Sequence, residues 1–506
     1  MKMTHIAAAC AVALAGAATP AFALTAFQTP DLTVYLSGAS APDNFLETTA
    51  TNMYVGAKGT DWFKYIDNGD GKQQRAFFGT MKSTADIPAA LQGKKVLFIK
   101  RSTGGSVFGV NPVARAQALA TLKVSAATCV ASGVDFKCAV QGTDPGLVGY
   151  PAGGEQVPDF GVSDVAPNLF KGPLNVEFGQ SALDPAEVAN LTVAGVNVLA
   201  MGLPVTNVIP MTTHISRATY GALLSGNINA WSTLGVAAPA AGDQVVACRR
   251  VPGSGTQTSY NWFFNNFPCT TDSVAGSGAT LPARMSDSAG YQTSGSGTVA
   301  DPYVIDVTAG YTVIENSSSG NVRDCLDKAA AGGLHKFKDE EGKYYQADFG
   351  TGGYGAIGVL SVDSLNDDRK TSSDSTKWAK GPTNAANGYS FRALDGAAAM
   401  YDTNATATLA VGTTGTTGIL PTKANLIDGN YEFASELTMQ YRNDLTGLKK
   451  AFADFFIARS GDPAFNGSAW VAALPPTYTP GTTGFDVNVA KGTRFGNMCA
   501  PLQRLF

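Results

Sequence analysis

One grammar recurs along this chain: an apolar, strand-like run ends in a turn of small residues, and a helix-like pattern follows. Leu32 to Leu36 alternates like a strand, runs into Ser37-Gly38-Ala39-Ser40-Ala41-Pro42, and gives way to a helical pattern from Phe45. Val96 to Lys100 leads into Arg101-Ser102-Thr103-Gly104-Gly105-Ser106; Asn111 is then read as an N-cap, with Pro112 at the first helical position before a helix over Ala114 to Leu122. A third tight segment is Phe160-Gly161-Val162-Ser163-Asp164-Val165-Ala166-Pro167, and a fourth unit joins Val245-Val246-Ala247 to a helical run from Tyr260 to Phe264. Repeated strand–loop–helix units are the signature of α/β architecture, in which ligands sit at the carboxyl ends of the strands.

The fourth loop, Arg249-Arg250-Val251-Pro252-Gly253-Ser254-Gly255-Thr256, has the most pointed chemistry. Its glycines let backbone N–H groups approach a ligand, and Ser254 and Thr256 add hydroxyls. The helix that follows contributes the partial positive charge of its N-terminus. An arginine at the edge supplies a fork for an oxyanion. An ordinary turn has the same letters, so the anion reading draws its weight from the other loops.

Composition narrows the classes. With 506 residues, of which 44% are hydrophobic, the chain is long enough for two or three domains. A formal charge of −4 and a charged fraction of 15% offer no basic face for nucleic acid or for a membrane surface. Lys2 and His5 precede an apolar segment from Ile6 to Ala18, and Ala21-Phe22-Ala23 fits a cleavage site, so residues 1–23 read as a signal peptide and the mature chain starts near Leu24. No later run approaches a membrane span, which predicts a soluble periplasmic or secreted protein. Cys10 is not placed for lipid attachment.

Beyond the leader stand Cys129, Cys138, Cys248, Cys269, Cys325 and Cys499. An even set in an exported chain suggests three disulfides. Proximity favours Cys129–Cys138 and Cys248–Cys269, leaving Cys325–Cys499. A zinc site is disfavoured because there is no C-x-x-C and only His214 and His335 follow the leader. Asp67-Asn68-Gly69-Asp70-Gly71 hints at a calcium loop but lacks the EF-hand spacing. No metal or other cofactor is expected.

Taken together and in order, the loops resemble those of the periplasmic phosphate-binding proteins of ABC transporters, within the type 2 periplasmic-binding-protein superfamily. Leu36 to Pro42 is similar to that family's Gly-Ala-Gly-Ala-Thr-Phe-Pro loop, Arg101 to Gly105 to its Gly-Ser-Ser-Gly-Gly loop, and Phe160 to Pro167 to Phe-Gly-Ala-Ser-Asp-Ala-Pro. Tyr220 to Trp231 resembles the helix ending in Gly-Lys-Ile-x-x-Trp, Arg249 to Thr256 resembles Arg-Arg-x-x-Gly-Ser-Gly-Thr, and Gly355 to Gly358 resembles Gly-Ala-Ile-Gly-Tyr. The resemblance implies an α/β fold of two domains with a hinge and an interdomain cleft enclosing one phosphate. Arg250 would pair with the anion, while Ser254, Gly255 and Thr256 donate from the helix start. Ser102 or Thr103 would donate from the other domain. Asp164 would accept a proton from the ligand and so refuse sulfate; its plainer role is a helix N-cap. Ala41, Pro42 and Asp43 complete the implied site.

Three departures bear on the ligand. Pro42 and Asp43 stand where the family has Thr-Phe, which removes a hydroxyl and brings a second carboxylate near. Pro252 replaces an acidic residue that orients the arginine in the family, so Arg250 is expected to be held differently or to pair with the neighbours of Arg249. Arg101 is extra positive charge that could compensate Asp43, serve a larger anion such as an organic phosphate, or sit at a solvated strand end.

The resemblance divides the chain into a first domain, residues 24–212 plus 431–506, and a second, residues 213–430, with hinge crossings near Thr213 and Asn430 closing over the ligand. Residues 49–94, 123–157, 272–302 and 363–422 read as surface elaborations, those at 275–298 and 403–418 as Gly/Ser/Thr-rich loops or hairpins. Leu448, Phe452, Phe455 and Phe456 have the spacing of a core helix over Leu445 to Ile457. The implied partners are a small oxyanion and ABC transporter membrane subunits, bound by a monomer. A surface scaffold or adhesion protein is the alternative, since fold does not fix function. A secreted phosphatase is less favoured, because G-x-S-x-G, Walker A and His/Asp metal clusters are all missing from the sequence.

Overall fold

The computed structural model describes residues 24–68, 73–142, 153–176, 178–269, 282–339, 341–362, 388–402, 409–411, 417–463, 471–474 and 488–505. The expected leader and the residues at 69–71 of the acidic turn lie outside them. Among the described residues no helix is long and apolar enough to cross a membrane.

Two sheets organise the chain. The first takes strands β1 (Leu32–Gly38), β2 (Trp62–Asp67), β3 (Gln74–Thr80) and β4 (Lys95–Arg101); β5 (Thr121–Leu122) and β8 (Val140–Gln141) form a separate two-stranded ladder. It is completed by β6 (Cys129–Ser132), β7 (Asp135–Cys138), β9 (Phe160–Ser163), β10 (Leu191–Ala200) and β21 (Ala434–Arg442), in the order β10-β21-β9-β1-β4-β3-β2-β7-β6. The second sheet holds β11 (Pro204–Thr206), β12 (Val246–Arg250), β14 (Thr312–Asn316), β17 (Ala356–Gly358), β18 (Tyr389–Arg392), β19 (Ala399–Asp402) and β20 (Leu409–Val411), in the order β14-β12-β17-β11-β18-β19-β20. A small sheet pairs β13 (Tyr303–Ile305), β15 (Leu334–Lys338) and β16 (Tyr344–Asp348) beside it, and β22 (Gly492–Thr493) pairs with β23 (Gln503–Arg504). Helices of two turns or more are α1 (Asp43–Thr51), α2 (Arg217–Leu224), α3 (Gly255–Asn265), α4 (Ser319–Ala331) and α5 (Gly447–Ser460).

Each sheet is mixed but carries a parallel trio: β9-β1-β4 in the middle of the first and β14-β12-β17 at one end of the second, with β12 between its two parallel neighbours. Central parallel strands are covered on both faces, which is why β4 and β12 are buried almost throughout rather than alternating. α5 covers the first trio. Its Phe452 and Phe456 meet Phe98 of β4 and Phe160 of β9, with the Phe98 and Phe456 ring centroids 4.9 Å apart. Fully burying each such ring is worth about 1.5–3 kcal/mol. The largest cluster of buried side chains continues from Val34, Phe98 and Phe160 into Val205, Ala247 and Ile357 of the second sheet. In sheet membership the chain leaves the first sheet after Ala200, enters the second at Pro204, and returns at Ala434.

Several sequence expectations are corrected. Residues 49–94 are not a surface elaboration: they supply β2 and β3, whose Tyr65, Phe77 and Phe78 are buried. Residues 123–157 form a surface hairpin, β6 and β7, at the edge of the first sheet with Val130 and Val134 exposed, and residues 363–422 add β18, β19 and β20 to the second sheet. The helix expected over Ala114 to Leu122 is a single turn, Asn111–Ala114, because Ala116 takes a left-handed φ of 51° and the chain then enters β5. Asn111 does not cap it; its Nδ2 donates to Ser181 O.

Cys129–Cys138 forms as expected across the β6–β7 pair. The other two pairings are Cys248–Cys325 and Cys269–Cys499, not Cys248–Cys269 and Cys325–Cys499. Cys248 lies in the middle of β12, where it is buried against α4, while α3 carries the chain about 16 Å away before Cys269 is reached.

Candidate functional site

The carboxyl ends of the two parallel trios face one another, and the loops that leave them interlock. Gly38 ends β1 with φ +125°, and a β-carbon there would lie 2.0 Å from Val162 O and 2.7 Å from Gly109 Cα. The chain can turn into α1 only because that position has no side chain. Buried Ala41 and Pro42 follow; Pro42 occupies the N-cap position of α1 and its carbonyl accepts from Leu46 N at 2.9 Å.

Asp43 begins α1 and is the hub of a buried charge network. Ser102 Oγ lies 2.8 and 2.9 Å from its two carboxylate oxygens, Arg75 Nη2 donates to it at 3.1 Å, and Lys100 Nζ stands 3.3 Å away. Arg75 also reaches Glu47, which Lys64 shares. Lys100 donates to Gly38 O (3.1 Å), Ala39 O (2.9 Å), Arg101 O (3.1 Å) and Ser102 Oγ (2.8 Å). Burial pushes the Lys100 ammonium down to about 8, while Asp43 pulls the other way. Asp43 is therefore met by Lys100 and Arg75. Arg101 is not its compensating charge, nor a solvated strand end: it is 3% exposed, donates to Ala120 O and Thr103 O, and lies over the Phe108 ring. The Ser102 hydroxyl is occupied by Asp43, whereas Thr103 Oγ1 is buried without a hydrogen-bond partner, as is Ser40 Oγ.

Asp164 follows β9, beside the β1 and β4 loops. Its N–H donates to Ser106 Oγ at 3.1 Å, its Oδ2 accepts from Thr256 Oγ1 at 2.9 Å, and its buried Oδ1 has no partner. Burial raises its carboxyl to about 6, against the lowering effect of the Thr256 hydroxyl, Arg250 and Lys100. It is not a helix cap, because the short 3-10 turn that follows begins at Pro167.

From the second sheet, β12 ends in Arg250, which is 1% exposed. Pro252 leaves no acidic neighbour in the loop to orient it. The turn after β14 does so instead: Nε donates to Asn316 O at 3.1 Å, Nη1 to Ser319 Oγ at 3.2 Å and Nη2 to Ser317 O at 2.8 Å. Arg249 turns away, with Nη1 donating to Ala283 O. Ser254 caps α3 and its Oγ accepts from Gln257 N at 3.4 Å. A β-carbon on Gly255 would stand 2.1 Å from Ser106 Oγ and 2.8 Å from Asp164 Cβ, so the glycine admits the start of α3 against Asp164. Across the same gap, Val107 N donates to Gly253 O at 3.1 Å, and a β-carbon on Gly105 would be 3.5 Å from Arg250 Nη2.

The structure thus brings Asp164, Arg250, Ser254, Gly255 and Thr256 together, places Thr103 two residues before the Gly105 that faces Ser254 and Arg250, and sets Asp43 and Ser102 in the network behind, with Ala41 and Pro42 leading into α1. Sequence reasoning missed Lys100, Arg75, Ser106, Asn316 and Ser319. Lys100 had a signal, since a lysine closing an apolar strand must find acceptors; the others are joined to the site by pairings far apart in sequence.

Neither a family model nor a curated protein matches the chain. It is similar to solved structures. One, from Clostridium perfringens with bound phosphate, is described as a phosphate ABC transporter substrate-binding protein: 13% identity, TM-score 0.37, 84% of this chain and 92% of that one covered. Another is PstS from Borrelia burgdorferi, at 10% identity and TM-score 0.33, covering 85% and 98%. A third is a phosphate-binding protein from Stenotrophomonas maltophilia, at 14% identity and TM-score 0.31, covering 86% and 84%.

Proposed function

We propose that this chain is an exported solute-binding protein that captures phosphate or a related protonated oxyanion between its two sheets, for ABC-type uptake, without catalysing a reaction. One observation carries the reading. Where the two sets of loops meet, a buried acceptor, Asp164 Oδ1, and a buried hydroxyl, Thr103 Oγ1, have no partner, while Arg250 and the start of α3 stand opposite. A buried acceptor and a buried hydroxyl in the facing loops favour a ligand that can both donate and accept. That ligand must accept from a hydroxyl, a guanidinium and the first-turn N–H groups of α3, which have no intrahelical acceptor. It must also donate to a carboxylate. A hydrogenphosphate does both. Sulfate, with no proton at neutral pH, leaves Asp164 facing a second anion.

On this reading the sheets move about the two segments where the chain crosses between them, after Ala200 and before Ala434, so that the first hinge lies ahead of the Thr213 crossing expected from the sequence while the second stays near Asn430. The test is calorimetric titration of the ligand-stripped protein with phosphate and then sulfate. Micromolar or tighter binding of phosphate alone is expected; equal binding of both anions, or of neither, removes the reading.

A further inference from the structure

We infer that His335 is a positioning residue for the anion site, bracing the turn that grips Arg250; the inference rests on the phosphate reading only for its effect on affinity. His335 lies on β15, outside the second sheet, and has no exposed surface. Its Nε2 is 2.9 Å from Asn316 Oδ1, and its Nδ1 is 2.6 Å from Asp324 Oδ2 on α4. The Asn316 amide has one orientation available, because its Nδ2 donates to Arg249 O at 3.1 Å and Ile314 O at 3.0 Å. Oδ1 therefore faces the imidazole, and Nε2 is the donor.

The consequence lies in what Asn316 does with its backbone. Asn316 O accepts from Arg250 Nε and also from Val251 N at 3.1 Å, and the next residues provide Ser317 O and Ser319 Oγ to the same guanidinium. These three acceptors for the Arg250 guanidinium belong to the segment joining β14 to α4. His335 ties the first residue of that turn, through its side chain, to Asp324 one helical turn further along α4. The Cys248–Cys325 disulfide holds the neighbouring residue of α4 to β12, two residues before Arg250. Strand, turn and helix are pinned at both ends, and the arginine is fixed between them without a carboxylate in its own loop.

The experiment compares His335→Leu, which keeps bulk but cannot donate, with His335→Gln, whose amide can. Two readouts are taken on folded protein: hydrogen-exchange protection of the Arg250 Nε–H by ¹⁵N NMR, and calorimetric affinity for inorganic phosphate. The expected result is lost protection and about tenfold weaker phosphate binding in His335→Leu, with both largely restored in His335→Gln. Unchanged protection in a folded His335→Leu protein overturns the inference, as does an equal loss in both variants. Should His335→Leu not fold, Asp324→Asn serves, since that side chain is 48% exposed and its loss should be tolerated. Protection there must fall, and an Arg250 Nε–H as protected as in the parent overturns the inference. If the parent binds no phosphate while Arg250 protection still depends on His335, the positioning role stands and the phosphate reading falls.

Discussion

The two halves of the candidate site hold their charges by different means. On the first sheet, charge answers charge: Asp43 with Lys100 and Arg75, Glu47 with Arg75 and Lys64. On the second, Arg250 is gripped by two carbonyls and a hydroxyl. Ion pairs cancel much of their own field, whereas dipoles position a cation without neutralising it, and the Arg250 charge acts on Asp164 across the gap. On the proposed reading the first half holds shape and the second draws in the anion.

That contrast predicts a reversal of rank. Lys100→Met strips a buried network of its central cation and should destabilise the fold by about 3 kcal/mol or more, whereas Arg250→Met leaves neutral acceptors unpaired, at a cost of about 1–3 kcal/mol. For phosphate affinity the order should invert, with Arg250→Met losing about a hundredfold or more and Lys100→Met considerably less. Urea denaturation and calorimetry on both variants check it, and a shared order in the two measurements would break the contrast.

Titration sharpens it further. Asp164 is raised from 3.8 to about 6, so between those values the folded state holds a proton that the unfolded chain has released. Its contribution to stability is complete below the ordinary carboxylate range and is lost as pH rises through about 6. Lys100 is lowered from 10.5 to about 8; its contribution is complete above the ordinary lysine range and is lost as pH falls through about 8. Asp164→Asn should remove the acid slope, leave the alkaline one, and let sulfate compete with phosphate. Denaturation midpoints across the pH range read the first two effects.

The smallest effect is expected at the contact between the halves. Gly105 has φ +75°, and a β-carbon there would sit 3.3 Å from Ser254 Cα. Gly105→Ala should destabilise by about 1 kcal/mol through backbone strain and weaken phosphate binding by several-fold. A tighter-binding Gly105→Ala would mean that the two halves do not meet there when the ligand is bound.

Legibility in the sequence followed range. Loops that leave a strand and enter a helix within a few residues, such as Arg249 to Thr256, could be read because each piece of their chemistry is local. That Asp164 and Thr256 belong to one site was implied only by the family resemblance, since their loops lie far apart in sequence. Arg75 could not be placed, because it reaches Asp43 only after β3 pairs antiparallel with β4. The cysteine pairing failed where nearness in sequence ignored the length of α3. The grip on Arg250 was invisible because its acceptors are backbone atoms and one serine, which carry no compositional mark.

The position of β21 also sets an order of events. The first sheet runs β10-β21-β9, so a strand made long after its two neighbours must slide between them. As the polypeptide emerges from the ribosome, the amino-terminal portion is left with two unsatisfied strand edges until residues 434–442 arrive. A nascent chain halted before that point would present open edges to its neighbours and be prone to aggregate. Assembly of the first sheet is thereby deferred until β21 has been made.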